Sequence, residues 1–120
     1  MDQLRSKLER KSFESAAIYH KTGQYQSATI ALRNALKDYP DSQYRERMNF
    51  LIIDSYYQYA LLSTDRRKIE RFNDATDAFH TFASRFPESS KMKQAQRLYD
   101  ATVEGIAELE EADHSNTTNR

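Results

Sequence analysis

The chain has 120 residues, of which 38% are apolar and 30% charged, enough for one hydrophobic core region and too few for two independent domains. Lys and Arg together number 18, as do Asp and Glu, so the net positive field that concentrates nucleic acid or an anionic membrane around a protein is absent and neither is an expected partner. The absence of Cys excludes disulfides, thiolate metal sites and a cysteine nucleophile, and two Gly and two Pro leave room for few turns, pointing to long helices.

The first helical pattern runs from about Leu4 to Thr22, with Leu4, Leu8, Ala16, Ile18 and Tyr19 set among charged residues, and stops at Gly23. From Gln24 to Tyr39 the apolar positions Tyr25, Ala28, Leu32, Ala35, Leu36 and Tyr39 recur in steps of three and four, and Pro40 ends the run. The two segments predict an antiparallel helical hairpin.

Asp41 and Ser42 are N-cap candidates for a third helix from Gln43 to about Ser63. At 100° per residue its apolar positions form two stripes, one through Tyr44, Met48, Leu51, Ser55, Tyr59 and Leu62, the other through Phe50, Ile53, Tyr57 and Leu61. A helix that is apolar on two sides is expected to have neighbours on two sides. Residues 63–70 are polar, with Arg66, Arg67 and Lys68 in a row, and read either as a connection that already begins the next helix or, more plainly, as a loop with an exposed basic tip.

A fourth helix is predicted from about Lys68 to Phe86 by Phe72, Ala75, Phe79, Phe82 and Phe86, and Pro87 terminates it. Ser89 or Ser90 is placed to cap a fifth helix carrying Met92, Ala95, Leu98, Tyr99, Thr102, Ile106 and Leu109, with Gly105 as a mild weak point. Residues 1–111 therefore make the folded domain, and residues 112–120 are polar enough to be expected as a disordered tail. The longest aliphatic–aromatic run is Phe50 to Ile53, so neither a signal-peptide h-region nor a membrane span is expected within these residues.

The two halves repeat. Tyr25-x-x-Ala28 before Tyr39-Pro40-Asp41-Ser42 matches Phe72-x-x-Ala75 before Phe86-Pro87-Glu88-Ser89, at a constant offset of 47 residues. A fixed period of this kind marks stacked helical hairpins. The first copy resembles the tetratricopeptide repeat: Ala16 takes the small position and Tyr19 the aromatic position of the first helix, Ala28 the close-packing alanine, Leu32 the large apolar position and Pro40 the terminal proline, although Ser12 and Ser15 stand where the pattern prefers Trp and Leu. The second copy carries about a dozen residues beyond the usual 34. The fold class implied is all-α, with about five helices in a tetratricopeptide-like α-solenoid.

The segments Arg10-Lys11-Ser12-Phe13-Glu14, Ala31 through Ser42, and Phe86-Pro87-Glu88-Ser89-Ser90 further resemble the C-terminal repeats of the BamD family of outer-membrane assembly lipoproteins in Gram-negative bacteria. The resemblance spans roughly Leu4 to Leu109. It implies a non-enzymatic periplasmic scaffold associated with the outer membrane, whose partners are the β-barrel assembly machinery and unfolded outer-membrane proteins. In that family a signal and a lipid-bearing cysteine precede the repeats, so the membrane would be reached only through a lipid anchor that this chain lacks. The alternative is a cytoplasmic repeat adaptor that holds a partner's peptide tail.

Chemistry finds little foothold in the residues. His20, His80 and His114 lie in no metal-binding spacing and read as solvated or helix-flanking, Gly23 and Gly105 are too isolated for a phosphate loop, and no nucleophile elbow occurs; no metal or cofactor is expected. The basic cluster of Arg66, Arg67, Lys68 and Arg71 and the acidic run of Glu104, Glu108, Glu110 and Glu111 read as solvated helix faces. Arg33 and Asn34 are expected to face outward or to meet the next hairpin. The stronger signal is the second stripe of the third helix. In a hairpin stack the first helices line the concave face, where Phe50, Ile53 and Tyr57 would join Arg10, Phe13, Ala17, His20 and Lys21 in an aromatic groove edged by cations, suited to an extended peptide or an inserted helix. The alternative for the same residues is burial against the fifth helix or further repeats.

Overall fold

The computed structural model describes residues 2–118, and among these every regular element is helical: α1 (Asp2–Lys21), α2 (Tyr25–Asp38), α3 (Arg45–Leu61), α4 (Asp65–Arg85) and α5 (Met92–Thr118). Gly23 closes α1 because its φ of 81° is open to glycine without a Cβ penalty; its N–H reaches the His20 carbonyl and the Gln24 N–H the Tyr19 carbonyl, satisfying two orphan acceptors of the helix end.

Consecutive helices pack against one another, α1 also meets α3, and α3 meets α5, whereas α2 and α4 make no close backbone approach among the described residues. The odd-numbered helices thus form one layer and the even-numbered ones a second, more open layer.

The two stripes of α3 serve two cores. Met48 and Ile52 join Phe13, Ala16, Ala28, Leu32 and Ala35 in a core formed with α1 and α2. Ile53 turns the other way, into a core with Phe79, Phe82 and Ala95 from α4 and α5. Ala78 of α4 packs against both.

The 47-residue offset persists in individual hydrogen bonds. The Tyr39 N–H donates to the Ala35 carbonyl and the Phe86 N–H to the Phe82 carbonyl, ending α2 and α4 alike. The Ser42 and Ser89 N–H groups then donate to the carbonyls of Tyr39 and Phe86 at 3.0 and 3.1 Å. Each serine hydroxyl accepts the N–H two residues on, from Tyr44 and from Lys91, both at 3.0 Å. Thr29 and Thr76 likewise both bond the carbonyl three residues back.

Two features differ from the sequence expectation. Of the two readings open for 63–70 the loop is not the one realised: α4 begins at Asp65, three residues before the expected Lys68, and only residues 62–64 connect it to α3. The extra length of the second unit is spent on helix, with α4 at 21 residues against 14 for α2. The basic run consequently lies in the opening turns of α4, where Lys68 pairs with Asp65 at 3.7 Å and Arg67 with Glu70 at 3.9 Å. In addition, α5 continues through Thr118 where a disordered tail is expected from Ala112, while residues 119 and 120 lie outside the described residues. Once α5 is nucleated on the core, each further residue adds a bond without a new nucleation cost.

Candidate partner-binding face

The eight residues singled out in the sequence fall into three environments. Arg10 and Lys21 are exposed on α1. Phe13 and Ile53 are core residues, 7% and 0% exposed, so of the two readings left open for them burial is the one realised. Ala17, His20, Phe50 and Tyr57 are half-buried at the surface of the odd-numbered layer.

Phe13 is held by neighbours on α3. Its ring stacks on Tyr44 with centroids 4.6 Å apart and planes within 1°, and the Arg47 guanidinium lies 5.8 Å from its centroid. Phe50 has the corresponding position in the second unit, edge-on to Phe82 at 6.2 Å with the Lys91 ammonium 5.5 Å from its ring. A half-buried aromatic under a cation is a preformed apolar anchor with a charged edge.

His20 is neither solvated nor merely flanking. Its Nε2 lies 2.5 Å from Oδ2 of Asp54, and its ring meets Tyr25 edge-on at 5.8 Å. Asp54 was missed in the sequence because its partner is 34 residues away on another helix. The available signal was its place four residues after Phe50 and three before Tyr57, on the second stripe of α3.

Beside Asp54 a shallow recess of about 360 Å³ opens between α3 and α5, with Phe50, Tyr57 and Leu98 as its apolar lining and Arg97 and Gln94 at its polar edge. A second recess of about 410 Å³, between the ends of α3, α4 and α5, shares Tyr57 and Ala101 with the first and brings in Leu61, Lys68, Glu104 and Glu108. Together they make a continuous trough with Tyr57 at its centre, the ring being braced from beneath by Phe72 at 6.0 Å. The sequence reading omitted the α5 wall, since Arg97 and Gln94 belong to no repeated motif.

Such a trough can hold an extended chain or one face of a helix, burying apolar side chains on Phe50 and Tyr57 and meeting charge at Asp54 and Arg97. Among the described residues no group of three or more His, Asp or Glu is gathered as a metal ion would need. No helix among the described residues is long and apolar enough to cross a membrane. No protein-family model and no curated protein sequence matches the chain.

Proposed function

We propose that the chain is a protein–protein interaction scaffold of tetratricopeptide-like hairpins in an α-solenoid, a BamD-like component of β-barrel outer-membrane protein assembly that acts in the periplasm. The observation that carries this reading is the recurrence, 47 residues apart, of the same helix end and of the same turn, in which a serine hydroxyl accepts the N–H two residues on. A chain that duplicates a hairpin unit in this detail is built by stacking, and stacked hairpins offer long surfaces to other proteins. The aromatic trough centred on Tyr57 supplies the anchor and rim chemistry of such a surface. The BamD-like assignment is supported by the residues of Arg10–Glu14, Ala31–Ser42 and Phe86–Ser90 that resemble that family.

The test is direct binding, by biolayer interferometry, of the immobilised chain to the purified periplasmic domains of a β-barrel insertase. Saturable binding that weakens about tenfold in a Tyr57→Ala, Arg97→Ala variant is expected, a loss of roughly 1.4 kcal/mol. Absence of binding at about 100 μM, an affinity weaker than roughly −5.5 kcal/mol, would remove the outer-membrane assembly reading.

A further inference from the structure

On the side away from the trough, the separation of α2 from α4 leaves a cleft of about 900 Å³ floored by α3. Its walls carry four cations, Arg33, Lys37, Arg45 and Arg85, against two carboxylates, Asp74 and Asp77. The distribution is uneven. Lys37 ends α2, Arg45 begins α3 and Arg85 ends α4, so these three gather at one end of the cleft, since α3 runs antiparallel to both walls. None of the three takes part in an ion pair among the described residues. At the opposite end Asp74 feels the positive charge of Arg71 and, more weakly, of Arg33, which donates to the Tyr56 hydroxyl at 3.1 Å. Between the two ends the floor is mixed, formed by Asn49, whose side-chain amide donates to the Arg45 carbonyl, and by the largely buried Ile52, with the half-buried Leu36 beside them.

We infer that this cleft docks an extended segment of a partner protein whose carboxylates lie at the Lys37, Arg45 and Arg85 end and whose apolar side chains rest on the half-buried Leu36 and Tyr56. Charge complementarity selects the occupant: three cations without anionic partners among the described residues lie at one end of the cleft, Arg45 donating only to the Ser42 carbonyl, and an acidic peptide supplies the missing charge. The length also fits. Arg45 and Tyr56 stand eleven residues apart on α3, about 16 Å at the helical rise, which five extended residues span. The site is separate from the Tyr57 trough and does not depend on the assembly reading.

The experiment is fluorescence polarisation of a fluorescein-labelled hexapeptide, EELALK, titrated with the intact chain. Saturable binding is expected, at least about tenfold weaker for the Lys37→Glu, Arg85→Glu variant and for a KKLALK probe, and unchanged within about twofold for Arg66→Glu, Arg67→Glu and for Tyr57→Ala. The four cleft cations are exposed, so the charge reversals leave both cores intact. Three results overturn the inference: no saturable binding of EELALK, an equal loss in the Arg66 and Arg67 variant, which would mean bulk charge attraction, or an equal loss in Tyr57→Ala, which would put the peptide in the trough. Failure here with intact insertase binding removes this cleft alone.

Discussion

Gly105 on α5 lies directly against the ring of Phe72 on α4: a Cβ placed on the glycine would fall 2.9 Å from Cε2 and 3.0 Å from Cζ. Phe72 is 3% exposed and cannot swing into solvent. The residue that looked like a weak point in α5 is therefore what lets α5 approach α4.

Gly105→Ala sets two effects against each other. Helix propensity favours alanine by about 1 kcal/mol in an open helix interior, while forcing an extra methyl against a buried ring costs about 1 to 3 kcal/mol. The net expectation in urea unfolding is a loss of about 1 kcal/mol. Phe72→Leu should be less damaging on the Gly105→Ala background than alone, whereas strictly additive losses would show that the two residues do not press on each other.

The N-cap of α3 is Tyr44, without a side-chain cap bond, so Ser42 and Ser89 act in the preceding turns, and the two turn serines should differ in cost. Ser42 is 1% exposed and Ser89 only half-buried, though each accepts the equivalent N–H at 3.0 Å. Ser42→Ala is expected to cost about 1 to 2 kcal/mol because it strands a protected N–H, and Ser89→Ala about half as much because water can replace the hydroxyl. Thermal unfolding of the two variants checks the order, and equal losses would contradict it.

Ser55 is fully buried and its hydroxyl has no hydrogen-bond partner among the described residues, while Thr102, at the equivalent position 47 residues on, bonds the Leu98 carbonyl at 2.7 Å. Removing an unsatisfied buried hydroxyl returns its desolvation penalty, so Ser55→Ala should stabilise by about 1 kcal/mol. Chemical denaturation reads this directly; a loss of stability would mean the hydroxyl has a role in packing.

Asp74 carries a pH signature. Burial raises its carboxyl above the ordinary 3.8, Glu70 and Asp77 add to the rise, and Arg71 and Arg33 oppose it. The folded chain then keeps this proton to higher pH than the unfolded chain, so the contribution to stability falls as pH rises through that interval and the penalty is complete above it. Asp74→Asn should melt higher than the parent at neutral pH, with the gap closing as pH falls toward 3.8. A gap that widens on acidification would reverse the sign.

The element order, the helix ends at Pro40 and Pro87 and the double-sided burial of α3 were legible because each rests on local chemistry or simple periodicity. Phe50 and Ile53 illustrate the limit: both sit on the second stripe, yet one reaches the surface and the other is sealed, a difference set by how α5 lies across α3. The pairing of His20 with Asp54 and the cleft between α2 and α4 arise from tertiary spacing that no short motif encodes. The start of α4 lies three residues before the expected Lys68: Arg66, Arg67 and Lys68 look like a polar connection, yet their spacing to Asp65 and Glu70 supports helical ion pairs.

Of the five helices, α3 alone touches all the others, and α1 and α2 make no close approach to α4 or α5. Mechanically it is an axle. Met48 and Ile52 bear on one half and Ile53 on the other, so both cores are hung on this one rod, with Ala78 of α4 packed against both.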